Sequence, residues 1–150
     1  MGRPGDDALT AWTCHAPALA PGDGAVAYVS DQDGAPRVWI RPLRGEPWAV
    51  PTGPQPVVDV RWSPAGTHLA VQVAPGGGEH TQVWAVQPHG GDLRVLAAPS
   101  GGSAVPVRWT GRGETLLVTE TAADGVSRAV LVDAVTGARQ GIAAGPLLRP

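Results

Sequence analysis

Apolar residues in this chain gather in short runs, each closed by glycine, proline or small polar residues. The middle of the chain shows the pattern best. Val58 to Trp62 is a β-branched and aromatic run. Ser63-Pro64-Ala65-Gly66 follows as a turn, with proline fixing φ at the bend and glycine accepting a positive φ. Leu69 to Val73 is a second run, Ala74-Pro75-Gly76-Gly77-Gly78-Glu79 a hairpin loop, and Gln82 to Val86 a third run. His89-Gly90-Gly91-Asp92 then turns the chain into Leu93-Arg94-Val95-Leu96. The pattern predicts strands near 57–62, 67–73, 81–87 and 92–97. Four short strands joined by tight turns within about 40 residues have the form of one propeller blade.

The unit recurs. Val107-Arg108-Trp109-Thr110-Gly111-Arg112-Gly113 repeats Val60 to Gly66 with Val, Arg, Trp and the last Gly unchanged. The offset holds through Leu69/Leu116 and Val71/Val118, shortens by one residue inside the hairpin loop, and holds again through Val86/Val132 and Gly91/Gly137. An earlier, more worn copy runs through Ala20 to Gly24, Val26 to Val29, Arg37 to Ile40 and Trp48 to Val50. In it Trp39 stands at the position of Trp84. Strands with apolar residues on both faces, such as Leu116-Leu117-Val118, suit blades, because each sheet lies between two neighbours. No stretch shows helical periodicity.

These spacings predict an all-β chain: a partial β-propeller of about three four-stranded antiparallel blades plus the start of a fourth. Residues 1–16 read as an N-terminal lead-in, 17–53 as blade 1, 54–100 as blade 2 and 101–144 as blade 3. Residues 145–150 begin a further blade, with Leu147 and Leu148 in its first strand. Trp62, Trp84 and Trp109 recur at fixed positions and are expected between blades; Trp12 and Trp48 fall outside the shared pattern, and packing at an outer strand is expected of them. Blade 3 should show an outward apolar face, read as Leu116, Val118 and Val130 or Leu131.

Composition modifies this picture little. Glycine (21) and proline (16) together make 37 of 150 residues, near the level of disordered chains, but they fall at regular turn positions. A net charge of −2 without any basic block argues against a nucleic-acid surface. Met1 to Asp7 lacks the apolar core of a secretory signal, and no run approaches the roughly 18 residues of a membrane helix. A single cysteine, Cys14, cannot pair internally. The cytosol is the expected compartment, with no membrane contact.

Candidate chemistry is sparse. Gly101-Gly102-Ser103-Ala104-Val105 is the nearest approach to a nucleophile elbow, but it lacks the last glycine and leads into a strand. Cys14 and His15 pair a thiol with a base, yet adjacent residues rarely point at one another, and catalytic partners usually come together from distant positions. His15, His68, His80 and His89 show no metal-ligand spacing; His80 and His89 read as solvated. Gly76-Gly77-Gly78 lacks the lysine and helix of a phosphate loop. Asp31 and Asp33 have the spacing of two calcium-loop carboxylates without the later glutamate, and a turn accounts for them. No catalytic, cofactor-binding or metal residue is therefore expected, and no cofactor.

Trp62-Ser63-Pro64-x-Gly66 followed by Leu69-Ala70-Val71 resembles the WSPDG…LAF repeat of TolB-like and prolyl-oligopeptidase-type propellers. Ser30-Asp31-Gln32-Asp33-Gly34 with Val38-Trp39 is similar to the SDRDGxxxLW hairpin of the same repeats. Ala65 replaces the Asp of the turn, and Thr110-Gly111 replaces Ser-Pro in blade 3. The order of features is most similar to the N-terminal propeller of cytosolic prolyl oligopeptidase family serine peptidases, over about Pro17 to Leu148. The resemblance implies a non-catalytic propeller portion, whose missing blades and α/β-hydrolase domain belong to a longer chain. There the propeller would restrict oligopeptide access to the hydrolase. An interaction module completed by self-association or a partner chain is the alternative. A TolB-like envelope scaffold is a third reading, opposed by the missing signal peptide.

Overall fold

A computed structural model describes residues 13–146. Twelve strands run through them. Blade 1 comprises β1 (Cys14–Leu19), β2 (Ala25–Ser30), β3 (Arg37–Pro42) and β4 (Trp48–Ala49). Blade 2 comprises β5 (Val57–Trp62), β6 (Leu69–Val73), β7 (Gln82–Val86) and β8 (Arg94–Ala97). Blade 3 comprises β9 (Ser103–Trp109), β10 (Thr115–Thr121), β11 (Val126–Asp133) and β12 (Arg139–Pro146). Each blade is one antiparallel sheet with its strands in chain order. The chain is all-β, a partial β-propeller of three four-stranded blades. The middle blade's strands fall within two residues of the expected spans. Blade 1's sheet starts at Cys14, inside the segment read as lead-in, and β12 continues to Pro146, two residues past the boundary taken from the repeat. Trp12 and the Leu147-Leu148 pair lie outside the described residues.

Turn chemistry explains the strand ends. After β5, the Gly66 N–H donates to the Ser63 carbonyl at 2.9 Å, with Gly66 at φ +74°. The Ser63 hydroxyl accepts the His68 N–H at 3.1 Å, so the side chain itself closes the turn. Thr110 replaces it in blade 3, where its hydroxyl accepts from Arg112 N–H at 3.2 Å. Each inner strand also carries a register shift, consistent with bulges that bend the strand nearest the ring axis.

The register assigns every strand residue to one of two faces. Leu69, Val71, Val73, Trp84 and Val86 face blade 1, where they pack with Ala27, Val29, Val38 and Ile40. Ala70, Val83 and Ala85 point the other way, onto Leu116, Val118, Val130 and Val132 of blade 3. Each blade thus has a leading face toward the preceding blade and a trailing face toward the next. This corrects the outward face expected of blade 3. Leu116, Val118 and Val130 are buried against blade 2, at 0, 0 and 4 % exposure. The outward side chains are their alternates, Leu117, Ala129 and Leu131, all half-buried. The strand period is two, so a slip of one residue exchanges the faces.

Candidate functional site

The residues singled out for chemistry are scattered. Cys14 is exposed on β1. It lies on the side of Tyr28, whose phenol is pushed above its ordinary range by burial and by the facing thiol, with Arg41 opposing. His15 points to the other face, its Nε2 3.2 Å from the Val58 carbonyl oxygen across the blade 1–blade 2 boundary. Thiol and imidazole do not meet. The Ser103 hydroxyl donates to the Glu79 carbonyl at 3.2 Å and accepts from the Thr81 N–H at 3.4 Å. Thr81 in turn donates to the Ala104 carbonyl at 2.7 Å, so this cluster ties the β6–β7 hairpin to β9.

His80 is exposed in the loop before β7. His89 is exposed too, but it stacks on Trp48, with ring centroids 4.8 Å apart and planes 9° from parallel. The Trp48 indole donates to the Pro88 carbonyl at 2.9 Å, so this tryptophan joins blade 1's outer strand to a blade 2 turn. Gly76 lies at a hairpin tip, and its N–H donates to Gln55 Oε1 at 3.2 Å. Asp31 Oδ1 accepts the Thr13 N–H at 2.6 Å, and Asp33 pairs with Arg37 at 3.1 Å. Asp31 is thus tied to the start of the neighbouring strand β1, and Asp33 to the strand that follows its turn. Among the described residues no three His, Cys, Asp or Glu side chains gather in a geometry that could hold a metal ion.

One polar cluster was not legible beforehand. His68 is buried between blades 2 and 3, its side chain 6 % exposed. Its Nδ1 lies 3.2 Å from Glu114 Oε2 and 3.0 Å from Thr67 Oγ1, and its Nε2 lies 3.6 Å from Asp92 Oδ2. Asp92 and Glu114 are far from His68 in sequence: Asp92 comes from a turn of the same blade, and the stacking of blades brings Glu114. The Arg139 guanidinium reaches the Leu96 carbonyl across the same boundary and Glu120 within its own blade. The His68–Glu114 and Arg139–Leu96 contacts bind blade to blade.

An open hollow of about 790 Å³ lies against the trailing face of blade 3 and is lined by Thr110, Arg112, Thr115, Leu131, Asp133 and Gln140, among others. Thr115 stands at the position of His68. In blade 2 that position is covered by Glu114 of the following blade. Backbone N–H groups of Thr136 and Val135 donate to Asp133 and hold its carboxyl below the ordinary range. Among the described residues no neighbouring blade covers the leading side of blade 1 or the trailing side of blade 3.

Repeated four-stranded blades with inter-blade cores define the class as β-propeller, and solved structures agree. TolB from Acinetobacter baumannii is similar with a TM-score of 0.67 and 15 % identity, over 86 % of this chain and 31 % of that one. An oligogalacturonate lyase from Vibrio parahaemolyticus gives 0.67 and 13 %, over 90 % and 42 %. A puromycin-hydrolyzing peptidase from Mycobacterium tuberculosis gives 0.61 and 21 %, over 87 % and 20 %. The chain spans less than half the length of each of these three. No protein-family description matches the sequence, and no curated protein does. TolB, a lyase and a peptidase share these blades, so the likeness establishes the fold and leaves activity to the site. No helix among the described residues is long and apolar enough to cross a membrane.

Proposed function

We propose that this chain is the non-catalytic propeller portion of a prolyl-oligopeptidase-like serine peptidase of the cytosol. In that role its blades form part of a ring that screens oligopeptides on their way to an α/β-hydrolase domain. One observation carries the reading: among the described residues the trailing face of blade 3, built like the faces packed inside the stack, lies uncovered. Leu117, Ala129 and Leu131 occupy on blade 3 the positions at which Ala70, Val83 and Ala85 are fully buried on blade 2. Blades are stable only against neighbours, so such faces belong inside a larger ring. The Ser30-to-Gly34 hairpin and the Trp62-to-Gly66 turn support the peptidase form of that ring, as does the likeness to a peptidase.

Two assays test the proposal. The isolated chain should release no p-nitroaniline from a succinyl-Ala-Pro anilide, because no nucleophile, base and oxyanion set is assembled. In a polypeptide joining these blades to a hydrolase domain, excising 14–146 should let the hydrolase cut peptides of 40 or more residues as readily as short ones. Unchanged size discrimination would remove the screening role. A ring completed by other chains is the alternative, and it differs in leaving peptide cleavage untouched.

A further inference from the structure

The two interfaces inside the stack obey one rule. The Trp62 indole N–H donates to the Ala18 carbonyl of blade 1 at 2.9 Å, and the Trp109 indole N–H donates to the Arg61 carbonyl of blade 2 at 3.2 Å. The pairings Leu19↔Val26, Trp62↔Leu69 and Trp109↔Leu116 make Leu19, Trp62 and Trp109 equivalent. Ala18, Arg61 and Arg108 are then equivalent as well. Every inner strand that ends in tryptophan thus reaches back to the carbonyl just before the matching residue of the preceding blade. Arg61 adds a forward link, its guanidinium donating to the Val107 carbonyl of blade 3. Arg108 is the next member of the series, and it is exposed.

We infer that the trailing face of blade 3 docks one further blade whose inner strand ends in tryptophan. That indole donates to the Arg108 carbonyl, while the Arg108 guanidinium reaches the carbonyl two residues before it. The inference rests on reading the chain as part of a ring, and continuity with two interfaces of the same design supplies the occupant. Blade 1 of a second copy does not fit. Leu19 stands where the indole is required and has no N–H to donate. Arg41 stands on the leading face where blades 2 and 3 place Val86 and Val132, at 0 and 1 % exposure. Burying a guanidinium there without a built partner is costly.

Appending a second copy of residues 57–100 after Pro150 tests this. The appended blade should dock on blade 3 and slow amide exchange in 115–121 and 126–133. Trp62→Leu in the appended copy alone should speed that exchange about fivefold, the size of one lost hydrogen bond. Trp62→Phe there, which keeps a ring but lacks the N–H, should do the same. Arg108→Ala should weaken protection in the fusion and leave the melt of the 150-residue chain unchanged. Equal protection with tryptophan, phenylalanine or leucine would overturn the clasp, as would an appended blade that gives none. A discrete ring formed by the unmodified chain, with the blade 3 face protected, would show that a second copy is the occupant. None of these readouts involves peptide cleavage, so they stand or fall apart from the screening role.

Discussion

The blade 1–blade 2 boundary and the blade 2–blade 3 boundary share one geometry and differ in chemistry. The first is filled by large aliphatic side chains, with Ile40, Val29 and Val38 set against Leu69, Val71 and Val73, and Trp48, Trp62 and Trp84 around them. At the second, blade 2 contributes only Ala70, Val83 and Ala85 from its central strands, and charged or polar side chains join the contact. His68 meets Glu114, Arg61 reaches Val107, Arg139 reaches the Leu96 carbonyl, and Thr81 Oγ1 donates to the Ala104 carbonyl at 2.7 Å. The backbone repeat therefore fixes how blades stack, while side chains decide how each joint fails. An apolar joint fails by cavity formation. A mixed joint fails by stranding a polar partner in a place water reaches poorly.

Substitutions on the two sides should separate these modes. Leu69→Ala, at a fully buried position of the first boundary, should cost about 2–5 kcal/mol, read as a lower urea midpoint with an unchanged slope. A loss below 1 kcal/mol would mean that the joint is loosely packed. His68→Ala should cost about 1–3 kcal/mol by leaving Glu114 without its partner. The double variant with Glu114→Ala should cost less than the two single losses added, and strict additivity would show that the contact couples nothing. Trp62→Phe should cost about 0.5–1.5 kcal/mol, because it removes the indole bond to Ala18 and keeps most of the ring.

Asp133 should give the smallest effect, and it lies outside both joints. Its carboxyl is held low in the folded chain, so its stabilisation is complete above the unfolded carboxylate range and fades as pH falls through the folded value. Asp133→Ala should then differ from the parent at pH 7 and approach it as pH falls below the ordinary carboxylate range. A constant gap across that range would contradict the assignment.

The repeat made most of the architecture readable in advance. Val-Arg-Trp followed by a turn glycine marks the end of an inner strand in blades 2 and 3, and the structure turns there, with Gly66 and Gly113 both at positive φ. Trp39 and Trp84 were matched by spacing alone, and they pair with Tyr28 and Val71, themselves equivalent. Face assignment was less secure. Leu116-Leu117-Val118 is apolar throughout, so the pattern holds no parity signal; the register against Trp109 supplies it. His68 was illegible for another reason. Its partners come from a turn of its own blade and from the next blade, and no local pattern encodes that meeting. The indole clasp was half legible: the recurrence of tryptophan was plain, but its carbonyl partner lies 44 to 48 residues earlier.

The described residues leave two blade faces without cover, at the leading side of blade 1 and the trailing side of blade 3. Each apolar side chain kept from full burial forgoes up to about 1.5–3 kcal/mol. Several of them together weigh heavily against a domain stability of roughly 5–15 kcal/mol. The unpaired edges of the end blades add backbone groups that can recruit other strands. Size-exclusion chromatography with light scattering, paired with a thermal melt of the 150-residue chain, tests this most directly. The account predicts concentration-dependent association without fixed stoichiometry, or a weakly cooperative melt. A monodisperse monomer melting cooperatively above about 60 °C, in the upper part of the usual mesophile range, would contradict it.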